Sequence, residues 1–261
     1  MGQGDATLIS TPNGRHILVD AGPNPDYVAG YLRENGIDTL DLVVASHNHA
    51  DHIGGLPAVF RSAFVRAYLE NGMPSATGIY SRLLSAVEAS GALVLRAESR
   101  TLSLDGISVR VLAPPCFGKK QNSCSIGLVI RYGEFTALLT GDSERSALQY
   151  WLSKGEIPNA TLVKVAHHGS ADASTSDWVQ ATNPEIAVIS VGKSNSYGHP
   201  SPDVLNLWSQ SRARVFRTDL NGTVLVRASH RNEVEVYTDY EPPLLPTRIL
   251  ERNQEERNEQ R

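Results

Sequence analysis

Short runs of β-branched and aliphatic residues alternate with amphipathic stretches from residue 5 to about residue 240. A strand turns successive side chains to opposite faces, whereas a helix repeats every three to four residues, so this mixture predicts sheets with interspersed helices and not a helical bundle. The early runs predicted as strands are Ala6 to Ser10, His16 to Asp20, Leu42 to Ser46, Val65 to Leu69, Ala92 to Leu95, Ile107 to Leu112, Ile126 to Tyr132 and Phe135 to Thr140. Later ones are Leu162 to Ala166, Ile186 to Val191, Val215 to Thr218, Thr223 to Arg227 and Glu233 to Tyr237. Asn13-Gly14 and Asn221-Gly222 are tight-turn pairs, and the first joins two apolar runs as a hairpin requires. Helices fill the intervals. Asp26 to Glu34 sets Val28, Tyr31 and Leu32 on one stripe, Ile79, Leu83 and Val87 recur every four residues before Gly91, and Ser201-Pro202 opens a helix running through Trp208.

Strands near both ends with helices between them predict an α+β fold of two packed mixed sheets with helices outside, an αββα four-layer sandwich. Glu241-Pro242-Pro243 breaks the pattern, and Glu251 to Arg261 is nearly all charged or amide. The predicted division is therefore one folded domain over 1–240 and a flexible charged tail over 241–261.

Composition narrows this picture. A chain of 261 residues that is 41% hydrophobic can bury a sizeable core, which sets aside disorder for most of its length. With 24 basic against 28 acidic residues, no global field draws it to nucleic acid or to an anionic membrane. A local basic groove from Lys119-Lys120, Lys164 and Lys193 stays open. No apolar run approaches the roughly 20 residues that span a bilayer, and the start Met-Gly-Gln-Gly-Asp carries no secretory signal, so the default expectation is a soluble, cytoplasmic chain. Cys116 and Cys124 are too few for a disulfide scaffold and lack zinc-knuckle spacing, and are read as structural thiols.

The chemistry concentrates after the run Leu42 to Ser46, which leads directly into His47-Asn48-His49-Ala50-Asp51-His52. Three of the chain's 8 histidines and one aspartate fall in those six residues. Imidazole and carboxylate are the ligands that suit zinc and neighbouring divalent metals, and a short irregular loop can aim alternate residues at two adjacent ions. On this reading His47 and His49 face one ion, and Asp51 and His52 the other. Two further pieces also end strands. Phe135 to Thr140 is followed by Gly141-Asp142, and Leu162 to Ala166 by His167-His168-Gly169-Ser170. Asp142 can bridge two ions through its two oxygens; its plain alternative is a helix N-cap before Ser143-Glu144-Arg145. At least one histidine of the pair completes the second ion.

H-x-H-x-D-H after one strand, Thr-Gly-Asp after another and His-His-Gly-Ser after a third resemble the metallo-β-lactamase-fold hydrolases. Gly2-Gln3-Gly4-Asp5-Ala6, Asn122 to Ser125, His167 to Ser170 and Tyr197-Gly198-His199-Pro200 resemble, more narrowly, the C-terminal hydrolase domain of the ComEC-type competence proteins. The resemblance covers residues 2 to 238. It implies a binuclear metallohydrolase acting on phosphodiesters, including DNA, with a metal-activated water as nucleophile. In that scheme His47 and His49 hold metal one, Asp51, His52 and His168 hold metal two, and Asp142 bridges them. Asp51 also orients the water or takes its proton, while His167, Asn122, Ser125 and His199 hold the phosphate or protonate the leaving group. The choice of His168 over His167 as ligand rests on the resemblance. Asp20, before Ala21-Gly22, resembles an aspartate that supports metal ligands from behind. His16 and His230 stand alone and are read as structural or exposed.

Two departures from the family pattern shape the expectations. The wider family has another metal-binding histidine between the first motif and the bridging aspartate, yet none lies between His52 and His167 here. Asn122 and Ser125 occupy the corresponding place, as in the ComEC-like group, so the first ion has fewer ligands and is weakly held, and oxygen donors favour manganese or another harder ion over zinc. Family members also carry an apolar strand before the Gln-Gly-Asp turn, whereas this chain begins at Met1-Gly2. The partners implied are a phosphodiester substrate and a membrane transport protein, which would put the domain outside the cytoplasm if it works with a DNA-uptake channel. Two other classes stay open: a hydrolase of the same fold for a small ester, lactone or thioester, and a non-catalytic metal-binding module. Oligomeric state is not encoded in any of these features.

Overall fold

The computed structural model describes residues 2–240; the predicted tail over 241–261 and the side chain of Lys119 lie outside the described residues. The first half of the chain runs β1 (Thr7–Ser10), β2 (His16–Val19), α1 (Tyr27–Glu34), β3 (Thr39–Leu40), β4 (Leu42–Val44), α2 (Ala50–Ile53), α3 (Leu56–Ser62), β5 (Phe64–Val65), β6 (Ala67–Glu70), α4 (Gly78–Ser90) and β7 (Leu93–Arg96). The second half begins with β8 (Arg100–Leu104), β9 (Ile107–Leu112), β10 (Gly127–Tyr132), β11 (Phe135–Leu139), α5 (Arg145–Ser153), β12 (Leu162–Lys164), α6 (Ser176–Thr182) and β13 (Ile186–Ile189). It ends with α7 (Pro202–Ser209), β14 (Arg214–Arg217), α8 (Thr218–Asn221), β15 (Val224–Ala228) and β16 (Val234–Thr238).

Two mixed sheets form, in the orders β1-β2-β4-β6-β7 and β14-β13-β12-β11-β10-β9-β8. Period-two alternation assigns each strand residue to one of three cores. Ile17 and Val19 of β2, Leu42 and Val44 of β4, and Leu128 and Ile130 of β10 point between the sheets. Leu18 and Val43 turn the other way and pack under Val28 and Leu32 of α1, Val59 and Phe60 of α3, and Leu83 and Val87 of α4. Val129 and Leu138 face outward on the second sheet, beneath Trp151 of α5, Trp178 of α6 and Trp208 of α7. The predicted four-layer αββα sandwich is the observed one.

The differences from the predicted elements have local causes. The run Val65 to Leu69 splits at Arg66, because β5 pairs with β3 in a small separate sheet while β6 joins the large one. Arg66 sits at the switch with its Nε 3.2 Å from Asp41. Asp142 is not a helix cap, since α5 starts at Arg145 with Glu144 in the N-cap position. Cys116 and Cys124 are joined in a disulfide and are not free thiols. Strands β2, β4 and β6 run parallel, as do β11 to β14, so their C-terminal ends emerge on common edges. The loops after β2, β4, β11, β12 and β13 carry the polar residues described next.

Candidate metal centre

The floor of the site is built from strand ends. His47 and His52 are fully buried, as are Asp142 and His168, whereas His49 is exposed and Asp51, His167, His199 and Asn122 are partly covered. In the loop after β4 His47 and Asn48 are buried and His49 and Ala50 exposed, and α2, which starts at Ala50, brings His52 back into the interior.

Asp142 is the centre of the arrangement. His52 Nε2 lies 3.2 Å from Asp142 Oδ1, and His168 Nε2 lies 3.5 Å from Oδ2. Asp51 Oδ2 lies 3.4 Å from His168 Nε2 and 3.9 Å from His52 Nε2, closing a group of two imidazoles and two carboxylates. On the other side His47 Nε2 is 3.9 Å from Asp142 Oδ2 and 3.0 Å from His49 Nδ1. The predicted donors therefore lie around Asp142, and among the described residues one ligand atom each from Asp5, His52, Asp142 and His168 lie within 4.8 Å of one another.

The backs of the histidines are held as well. His52 Nδ1 contacts Asp20 Oδ2 at 2.8 Å, and Asp20 in turn accepts from the Ser46 N–H and hydroxyl. His168 Nδ1 donates to the Ser190 carbonyl at 2.8 Å and lies 3.4 Å from Asp5 Oδ1. Anchoring one ring nitrogen fixes which nitrogen faces the centre. Two consecutive left-handed residues, His167 (φ 49°) and His168 (φ 53°), aim both rings inward, a backbone that side-chain-bearing residues adopt at a cost.

Asp5 and Lys164 are the residues that sequence reasoning missed. Asp5 is 3% exposed and reaches behind both His52 and His168, and the ammonium of Lys164, itself buried, pairs with it. Lys164 is thus a buried counter-charge and does not line a surface groove. Their sequence signals were thin: a lone lysine closing an apolar run, and an aspartate after Gly4 ahead of an apolar strand. Gly4 (φ 141°) is required there because a Cβ would stand 2.3 Å from the Asp51 carbonyl oxygen.

Of the remaining expected residues, Ser125 is buried behind the bridge, its Oγ accepting from the Asp142 N–H at 3.2 Å. Asn122 Nδ2 lies 3.3 Å from His167 Nε2, which is 3.8 Å from Asp142 Oδ2. The His199 ring centroid is 5.6 Å from that of His167, so the loop after β13 borders the site. His16 contacts Ser10, and His230 packs on Tyr132, both as structural histidines. Lys193 lies over Tyr240.

Charge tests whether cations fit. Four carboxylates, Asp5, Asp20, Asp51 and Asp142, converge, with the Lys164 ammonium as a fixed positive charge paired to Asp5. Burial would raise the Asp142 carboxyl, yet the His52 and His168 imidazoles hold it well below the usual range. Burial likewise works against charge on His168, but Asp5 and Asp142 push it up to about 12. Burial opposes charge on His52 too, and Asp142 with Asp20 drive its pKa well above the ordinary value. His47 goes the opposite way, lowered by burial and by the neighbouring His52. A negative cluster that recruits protons onto imidazoles is one that divalent cations can neutralise instead. His52 Nε2, His168 Nε2 and Asp142 Oδ1 are buried and without a hydrogen-bond partner among the described residues, and all three face the centre. The donor set fits metal.

The comparisons agree. The model of the metallo-β-lactamase superfamily matches residues 1–72. The chain is 30% identical to ComE operon protein 3 of Bacillus subtilis over 97% of its length, and 32% identical to competence protein ComA of Neisseria gonorrhoeae over 85%. It spans only 35% and 30% of those two relatives. The solved metallo-β-lactamase-fold protein YhfI of Bacillus subtilis superimposes over 90% of this chain and 92% of its own with a TM-score of 0.56 at 13% identity. The chain thus carries the metallo-β-lactamase fold, with the superfamily match at its first motif, and is similar to one part of the ComEC-type competence proteins.

Proposed function

We propose that this domain is a binuclear metallohydrolase of phosphodiesters, with DNA as its substrate. The observation that carries the reading is the buried Asp142, with His52 3.2 Å from its Oδ1 and His168 and His47 3.5 and 3.9 Å from its Oδ2. Two divalent cations, zinc or manganese, held by these residues would supply a water of lowered pKa and positive charge for the phosphoryl oxygens. Asp51, partly exposed beside the buried donors, would orient that water and take its proton. Ser125 holds the Asp142 backbone, and Asp20 and Asp5 hold the histidine rings from behind. At the open rim Asn122 Nδ2 donates to His167 Nε2 at 3.3 Å, and the two side chains together hold a phosphoryl oxygen or pass a proton to the leaving oxygen. His199 extends that rim.

The naming of the sequence relatives as competence proteins favours a DNA substrate over a small ester. No helix among the described residues is long and apolar enough to cross a membrane, so a transport channel enters this proposal as a separate partner or segment. The test is hydrolysis of bis-p-nitrophenyl phosphate and of linear DNA by metal-stripped protein after adding back manganese, zinc or nothing. Metal-dependent cleavage of both, lost in Asp142→Ala and falling steeply with salt for DNA only, is the expected result. Cleavage of the small ester alone would move the substrate to a small molecule, and no turnover with either metal would leave a binding module.

A further inference from the structure

Three rings form a line from the metal centre to solvent. His167, beside Asp142, packs edge-on against His199 with centroids 5.6 Å apart. His199 stacks on Tyr197 at 5.9 Å with only 14° between the planes. Tyr197 is 70% exposed, so one face lies on His199 and the other lies open. An isolated exposed tyrosine needs no explanation; one fixed in a stack that begins at a catalytic rim does.

The loop that carries it is pinned. Asn195 Nδ2 donates to the carbonyls of Gly192 and His199 at 3.0 and 2.8 Å, and its Oδ1 accepts from the His199 N–H at 2.9 Å. Ser201 N–H reaches the Gly169 carbonyl of the His-His-Gly turn at 2.9 Å, and Gly192 N–H reaches Gln3 Oε1 at 3.0 Å. The loop is thus tied at both ends to segments that build the metal centre. Lys193, on the same loop, is exposed. A ring with one free face is a surface on which proteins stack an unpaired base, and a two-torsion tyrosine loses little entropy in doing so.

We propose that the open face of Tyr197 is a stacking subsite for an unpaired nucleobase next to the phosphodiester held at the metal centre. This rests on the phosphodiesterase reading and narrows its substrate to single strands, frayed ends or other nucleic acid whose bases are free to stack. A paired base offers no face to Tyr197.

The experiment compares binding of the full, EDTA-treated chain to a fluorescein-labelled oligothymidylate and to an abasic oligomer of equal length, which keeps the phosphate charges and lacks the rings. Wild type should prefer the thymidylate by about tenfold, the range of one base stacked on one aromatic ring. Tyr197→Phe should keep that preference, and Tyr197→Ala should reduce it to about twofold or less while retaining wild-type metal content after reloading. A 2-aminopurine reporter in the oligomer should be quenched by wild type and Tyr197→Phe, not by Tyr197→Ala. If wild type cleaves DNA but the thymidylate preference survives in Tyr197→Ala, the subsite is overturned and the hydrolase reading stands. If wild type neither binds nor cleaves either oligomer, the underlying reading fails and the subsite with it.

Discussion

Asp5 and Lys164 show what a single residue does in this site. Both are buried, and each is the other's counter-charge in a place already crowded with carboxylates. Burial would hold the Asp5 carboxyl up, but Lys164 and His168 bring it far below the usual range; burial would lower Lys164, and Asp5 with Asp142 raises it. Removing one partner strands the other charge away from water, which costs about 3–5 kcal/mol, whereas removing both leaves little to repair. Asp5→Asn and Lys164→Met should therefore each lower the urea-unfolding free energy by that order, and the double variant should recover most of the loss. Additive losses would show that the two side chains act independently. Asp5 stood in a stretch that carries the family resemblance and Lys164 was read as a groove residue, but their pairing was not legible in the sequence, because a pair separated by more than half the chain declares itself only when β12 is laid beside the segment preceding β1.

At the scale of elements, the hydrophobic alternation was legible wherever a strand is covered on both sides. In β2, β4, β10 and β11 each step of one residue changes the core, so the pattern is unambiguous. It faded at the sheet margin: β8 reads Arg-Thr-Leu-Ser-Leu with only half-buried leucines, and was not recognised. Helices α3, α5 and α6 were expected only as fillers between strands, being seven to nine residues long with few turns to show a period. The motif loops were legible for a different reason, since ligand types crowd together in them regardless of fold. What the motifs did not reveal is how tightly the loops are packed. Gly4 illustrates this: a Cβ would meet the Asp51 carbonyl oxygen at 2.3 Å and Pro23 Cδ at 2.6 Å, whereas at Gly14 (φ 76°) it would meet nothing within 4 Å. Both substitutions strain the backbone, but only one also displaces a ligand-bearing loop. Gly4→Ala should cost about 1–3 kcal/mol and weaken metal binding, and Gly14→Ala should leave metal binding unchanged. Equal metal affinity in the two variants, measured by equilibrium dialysis, would contradict this packing account.

Across the whole molecule, the two halves of the sandwich each bring part of the centre. The first sheet delivers Asp20 and the loop His47 to His52, and the second delivers Asp142, His167 and His168. The apolar layer of Ile17, Val19, Val44, Val109, Leu128, Ile130 and Leu139 holds these edges together. Above it, the imidazoles and carboxylates of opposite halves meet at 3.2 and 3.4 Å. A cation bound there ties the halves directly, so that loading should stabilise the fold as well as equip it for hydrolysis. Equilibrium dialysis of the full chain against manganese or zinc at saturation, followed by elemental analysis, should find two ions per chain in wild type and fewer than one in Asp142→Ala. Wild type holding no more metal than Asp142→Ala would contradict the account.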